Sequence, residues 1–358
     1  MTDLNTKLEL FDAIATRRTE RRSFLRFAGG SALAVGGASL LAACGDDDDT
    51  NTVTPTPSPT PTPSTGVTDV DVLNFALNLE YLEAQFYAYA AFGVGLNASL
   101  LTGTGTQGAV VTATGGAGFP RQVGFQDSVV QQYAREIAID EVAHVAFLRS
   151  ALGTSAVAQP TIDISGGTAS APGAFSLAAR AAGVVDPNNG VFDPYLDDNS
   201  FLLGAYIFED VGVSAYKGAA PLISNATYLE AAAGILAAEA YHAGLIRTIL
   251  YRKGLQTPNP IPALITGANK ISDARDSLDG TVTNTSTGVI GDDDQGITGS
   301  DASMSNIVPA DANGLAYSRS VAQVHNIAYL TNTAKIGGGF FPNGTNNRTD
   351  ALRTSGAF

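Results

Sequence analysis

Two short patterns in this chain could do chemistry. Glu141-Val142-Ala143-His144 and Glu239-Ala240-Tyr241-His242 each set a carboxylate and an imidazole three residues apart. That spacing puts both groups on one face of a helix. In each case the face is otherwise apolar: Ile137 and Leu148 flank the first pair, and Ala232, Ile235, Ile246 and Ile249 flank the second. Burying an unpaired charge among aliphatic side chains is costly, so such pairs need a partner, and a metal ion is one. The chain has 3 His in all. That two of them carry Glu three residues upstream is more than the ordinary helix preference of Glu and the tolerance of cores for His would produce.

Four helices are required to bring such groups together. Apolar periodicity predicts the two that carry the pairs, over 126–152 and 227–255, and two more over 69–92 and 199–217. The stripe of the 69–92 helix runs Leu73, Leu77, Glu80, Ala84, Tyr87, Ala91, with Glu80 inside it and Glu83 one turn on. The 199–217 helix aligns Leu202, Glu209, Val213 and Tyr216. Residues 93–125, rich in Gly and Thr, read as a loop or short hairpin. Residues 153–198 form a long connection with turn signals at Gly166-Gly167, Pro172 and Asp186 to Gly190. Two helices, one long crossover and two further helices make an all-α, ferritin-like four-helix bundle.

Bundles of that kind supply one Glu from each of two helices and Glu-x-x-His from each of the other two. The candidate metal ligands are therefore Glu80, Glu141, His144, Glu209, Glu239 and His242. Glu83 either replaces Glu80 or adds a seventh ligand. Asp140 either accepts a hydrogen bond from the non-ligating nitrogen of a ligand His, fixing its tautomer, or is a surface residue. Tyr87, Tyr206 and Tyr241 lie near the metals or serve as core aromatics. Oxygen donors in the majority with two imidazoles suit Fe or Mn. The expected cofactor is a pair of such ions, with Glu141 and Glu239 bridging, as the Glu-x-x-His helices usually do in this architecture.

The N-terminal region reads as an address. Glu20-Arg21-Arg22-Ser23-Phe24-Leu25-Arg26 resembles the twin-arginine export motif, and an uncharged, Gly-rich run follows from Phe27 to Ala43. Leu41-Ala42-Ala43-Cys44-Gly45 resembles a bacterial lipoprotein cleavage site, with Cys44 as the lipidated residue. Residues 1–43 are thus expected to be a signal and 44–66 an acidic, then Pro/Thr-rich tether. At about 3.1 Å per residue in extended form, residues 45–66 would reach roughly 70 Å. Cys44 is the only Cys, so no intramolecular disulfide can form. The formal charge is −14; residues 1–43 hold six basic and four acidic residues, so without them it is −16. A chain this acidic is not expected to bind nucleic acid or anionic lipid electrostatically. Its expected partners are the membrane, through a lipid on Cys44, and a small oxidant. Its expected location is the periplasm or cell surface, after twin-arginine export.

The bundle is expected over 67–255 and a C-terminal extension packed on it over 256–358. Within the extension, 256–315 reads as irregular and 314–332 as a fifth helix holding His325 in a structural or exposed role. Asp292-Asp293-Asp294 lacks the alternating spacing and terminal Glu of a calcium loop and reads as solvated charge. Gly337 to Pro342 reads as a turn that tucks Phe340 and Phe341 against the bundle.

Several stretches resemble exported bacterial ferritin-like domain proteins related to the plant desiccation-related proteins. They are Leu73 to Glu83, Asp140 to Val145, Phe208 to Gly212, Glu239 to His242, Ile307 to Ala312 and Phe340 to Gly344. The resemblance covers most of 68–345 and implies the bundle fold with a dinuclear carboxylate centre. From the ligand set, the expected function is redox chemistry with dioxygen or peroxide, as a di-iron or di-manganese oxidoreductase of peroxidase, catalase-like or oxidase type. The alternatives are a non-catalytic, metal-stabilised stress or desiccation-related lipoprotein and a surface interaction protein.

Overall fold

A computed structural model of the chain describes residues 66–112, 118–280, 282–284, 289–291, 293–299, 301 and 303–358. The signal over 1–43, Cys44, the tether up to residue 65 and Asp292 lie outside the described residues.

Four long helices carry the structure: α1 (Asp69–Phe92), α2 (Ser128–Leu152), and, after a crossover containing the short α3 (Ala174–Ala181), α4 (Asp198–Ala219) and α5 (Ala226–Leu255). Each begins at a polar cap. Thr68 and Asp71 form a capping box on α1, and Asp127, Asp197 and Asn225 accept backbone N–H bonds at the starts of α2, α4 and α5. Asp69 also accepts from the backbone N–H groups of Ser224 and Asn225, both at 2.9 Å, which fastens the start of α1 to that of α5. α1 ends where Gly93 turns left-handed at φ 76°. The helices pack as two pairs, α1 with α2 and α4 with α5, and the pairs meet through α1 on α4 and α2 on α5.

α1 is buried on all sides, because α2 and α4 cover part of it and the end of the chain covers the rest. Asn346 N–H donates to Asn78 Oδ1 at 2.9 Å, and Arg348 grips Asp71. A cluster of Phe86, Phe175, Phe201, Phe208 and Tyr195 fills the end of the core. Phe340 joins it at 4.9 Å from Phe208, and Phe341 is fully buried too, as the Gly337–Pro342 turn predicts.

The extension departs from its sequence reading in two places. First, 256–315 is not uniformly irregular: Pro262–Asp279 forms an 18-residue helix, α6, packed on α5 and α4. A short antiparallel ribbon, β1 (Val282–Asn284) with β2 (Val289–Gly291), follows it. The predicted fifth helix is present in shorter form as α7 (Val321–Tyr329). In it His325 is buried, Nδ1 against Val321 O at 2.9 Å and Nε2 against Thr345 Oγ1 at 3.2 Å, a structural role.

Second, Asp293 and Asp294 are buried, not solvated. Arg319 bonds Asp279 at 2.8 Å and also meets Asp294, while Arg275 reaches Asp294 at 2.7 Å and Asp210 at 2.9 Å. Arg247 joins Asp210 from the other side at 2.7 Å and donates to the carbonyls of Gly296 and Asn306. Buried charges persist when each finds an opposite one. Here Arg275 ties the extension to Asp210 of α4, Arg247 of α5 ties Asp210 to the extension's carbonyls, and Arg319 gathers Asp279, Asp293 and Asp294 within the extension.

Candidate metal centre

The chain has seven Glu beyond the N-terminal region. Glu136 and Glu230 are exposed, whereas Glu80, Glu83, Glu141, Glu209 and Glu239 are buried together at the centre of the bundle. α1 brings in Glu80 and Glu83, α2 Glu141 and His144, α4 Glu209, and α5 Glu239 and His242. The structure thus brings together all six residues that the sequence singles out as ligands, and Glu83 with them.

The two imidazoles sit with ring centroids 6.2 Å apart. His144 Nδ1 faces Glu80 Oε2 at 3.2 Å, Glu141 Oε2 at 3.6 Å and Glu239 Oε1 at 3.6 Å. His242 Nδ1 faces Glu141 Oε1 at 3.1 Å and Glu209 Oε2 at 3.7 Å. Glu141 therefore points one oxygen at each His. The donor atoms fall into two overlapping groups, Glu80/Glu141/His144/Glu239 and Glu209/Glu239/His242, with every donor of a group within 4.8 Å of the others. Glu239 belongs to both.

The surrounding contacts hold these groups in place. Asp140, whose side chain is 38% exposed, sits 3.5 Å from His242 Nε2, at the outer limit of a hydrogen bond and on the side away from the carboxylates. Tyr87 on α1 donates to Glu209 on α4, and Tyr216 on α4 donates to Glu80 on α1. This reciprocal pair has a sequence signal that inspection for Glu-x-x-His passes over: Glu80…Tyr87 and Glu209…Tyr216 have the same seven-residue spacing. The other two tyrosines considered lie elsewhere. Tyr206 bonds Ser272 and Arg247 in the ion-pair network, and Tyr241 is 78% exposed. Gly212 has a role that only the structure shows. A methyl group there would collide with Glu239 Oε2 and stand 3.4 Å from Glu83 Oε1.

Electrostatically the site is strained without cations. Burial, with the neighbouring carboxylates adding to it, raises Glu83 and Glu239 well above the usual carboxylate range. Burial likewise raises Glu80 to about 7 and Glu209 to about 8, against the pull of His144 and His242 respectively. Burial would push Glu141 up too, but the two imidazoles outweigh it and hold this one carboxylate low. Burial opposes the charged imidazoles, yet Glu80 and Glu141 raise His144 well above its ordinary value, and Asp140 and Glu141 raise His242 to about 10.

A test of fit for a metal follows from the unsatisfied atoms. Glu80 Oε2, both oxygens of Glu141 and of Glu239, Glu209 Oε2, and Nδ1 of both His are buried with no hydrogen-bond partner. Buried polar atoms left this way are costly and rare. All of them point into one space, from six positions on four helices. Cations bound between them would satisfy every one, so the donor set fits a metal centre.

A family model for the ferritin-like domain matches residues 68–252, just over half of the chain. The chain belongs to the ferritin-like domain family. Among curated proteins, this ferritin-like chain is similar to the desiccation-related protein PCC13-62 of Craterostigma plantagineum, at 32% identity over 221 residues. That match covers 59% of this chain and 62% of the relative, just under two thirds of its length. It is also similar to the ferritin-like catalase Nec2 of Nesocodon mauritianus, at 28% identity over 293 residues, 78% of this chain and 84% of the relative. No solved structure matches.

Proposed function

We propose that this ferritin-like protein holds a dinuclear metal centre that consumes hydrogen peroxide. The observation that carries the reading is the pair of overlapping donor groups sharing Glu239, whose buried oxygens and ring nitrogens have no other partner. Glu80 and His144 would serve one ion, Glu209 and His242 the other, with Glu141 and Glu239 facing both. Two divalent ions would set four positive charges against the five buried carboxylates, which suits iron or manganese. Such a pair supplies two electrons and accepts them back, which is what disproportionation of two peroxide molecules to two water molecules and one dioxygen needs. Similarity to a protein named as a ferritin-like catalase supports this reaction over others open to the same donors.

The residues of the chain have definable parts in that activity. The phenol O–H groups of Tyr87 and Tyr216 donate to Glu209 and Glu80 and fix the direction of their remaining oxygens. Asp140 faces His242 Nε2, so a proton there leaves Nδ1 free to ligate. Complete burial of Glu80, Glu141 and Glu239 keeps bulk water out, which strengthens each electrostatic contact inside. The test is metal analysis of the full chain from its native host, followed by peroxide addition. About two Fe or Mn per chain with many turnovers supports the reading. Two metals without turnover would favour a metal-stabilised protective protein, in line with the desiccation-related relative. Folded protein that takes up no metal sinks the assignment.

The same proposal extends to location: twin-arginine export and anchoring through a lipid on Cys44, in the periplasm or at the cell surface. Cys44→Ala should move the protein from the membrane fraction to the soluble fraction; an unchanged distribution would refute the anchor.

A further inference from the structure

A cavity of about 30 Å³ lies between α1 and α4, beside the cluster of carboxylates, and α7 of the extension and Phe340 line its other side. Ten of its eleven lining residues have no polar side-chain atom, and the eleventh is Glu83. The volume would admit a water molecule, but a buried water needs two to four polar partners, and apolar cavities stay dry and take up apolar guests. One carboxyl group does not meet that need.

The cavity adjoins the centre. α1 and α4 carry matching Glu…Tyr patterns, and in that register Glu83 and Gly212 occupy equivalent positions, each three residues after its Glu. Both line the cavity. Where α1 has a carboxylate α4 has no side chain, and the space so left is bounded by Glu239 Oε2 and Glu83 Oε1. Glu83 is also the only one of the five buried carboxylates with appreciable accessible surface, at 5% against at most 1% for the others. The opposite face is polar. There the His144 side chain is 11% exposed and Asp140 is 38% exposed. The two faces of the centre thus suit different molecules, water and ions on the imidazole side and a small neutral molecule on the α1–α4 side.

We infer that the cavity between α1, α4 and α7 is a binding pocket for dioxygen, placed to take it from or bring it to the metal centre past Glu83 and Gly212. A diatomic, uncharged, apolar molecule matches the size and the lining. The inference rests on the metal-centre reading above and adds the class of small molecule handled on this face. It also gives the extension a purpose, since Val324, Ile327 and Ala328 of α7 form the roof.

The probe is xenon, which binds dry apolar cavities. Xenon-pressurised crystals or xenon NMR of the full chain should show one atom in this cavity. Ala328→Phe fills the roof from the side away from the ligands and should abolish that signal; Ala328→Met is the milder companion if the larger ring prevents folding. In either variant metal content should equal that of the wild type, while release of dioxygen from peroxide, or its uptake by the reduced centre, should slow at least tenfold. Comparing release with uptake tells whether dioxygen is product or substrate. Wild-type protein without xenon in the cavity overturns the inference. So does a variant that excludes xenon yet handles dioxygen at the wild-type rate. A wild-type chain that binds xenon but holds no metal refutes the metal-centre reading itself. It leaves the pocket with nothing to serve, an outcome that metal analysis alone distinguishes from failure of the pocket.

Discussion

Removing the metals should make the stability of this protein fall steeply as pH rises. In the metal-free bundle His242 titrates near 10 against 6.5 for an ordinary His, Glu209 near 8 and Glu80 near 7 against 4.5. All three are raised in the fold. The stability each contributes is complete below its unfolded pKa and is lost as pH rises through its folded value. Between pH 7 and 9 the unfolded chain has released the His242 proton and the folded chain still holds it. Each such proton costs about 1.4 kcal/mol per pH unit, so His242 alone removes about 3 kcal/mol over this range. Glu209 adds to the loss up to about pH 8, while Glu141, held low, is ionised throughout and adds no slope. At roughly 2–4 °C per kcal/mol for a chain of this size, the melting temperature should drop by roughly 10 °C. The loaded protein should behave oppositely, because ligation needs neutral imidazole and ionised carboxylate and so strengthens as pH rises. Calorimetric scans of chelated and reloaded protein at pH 7 and 9 test both halves. A chelated protein whose melting temperature is flat or rises over this interval would refute the reasoning.

Three further outcomes are expected. Glu239→Gln removes the carboxylate common to both donor groups, so bound metal should fall to about one per chain or less by elemental analysis. The same variant, metal-free at pH 9, should melt above the metal-free wild type because it has no charge to bury. Tyr216→Phe and Tyr87→Phe each delete one bond to a terminal carboxylate, and metal affinity in competition titrations should weaken about 10- to 100-fold, the usual cost of losing such a support. Arg247→Met should destabilise the fold by about 3–5 kcal/mol in denaturant melts, since it leaves Asp210 with Arg275 alone and removes the guanidinium that donates to the carbonyls of Gln295, Gly296 and Asn306.

The bundle is legible in the sequence because its signal is redundant. Apolar stripes set the four helices to within two residues of their observed ends, and carboxylates inside those stripes mark the site. Glu141 and Glu239 can be told from Glu136 and Glu230 by face alone. The parts that escape are held by pairs distant along the chain. α6 buries Leu264, Ala268 and Ile271, but also Ser272 and Arg275, so its inner face lacks the apolar period that announces a helix. Asp293 and Asp294 read as solvated until Arg319 and Arg275 are brought to them. The Tyr87 and Tyr216 contacts carry a repeated spacing, yet nothing short of the packed helices shows that each tyrosine serves the other helix's Glu. Gly212 gives no signal at all, since its role is the space that it leaves.

The last twenty residues have a consequence for how the chain reaches this state. Asn346 and Arg348 complete the surface of α1 across 268 and 277 residues of intervening sequence. A ribosome releases α1 long before its cover exists. The helix that supplies Glu80 and Glu83 must wait, partly naked, for residues 346–348 to be made, and contacts of such sequence separation form late and slowly. Folding of the bundle is accordingly not complete until residues 346–348 have been made, and any machinery that admits only folded cargo must wait for them.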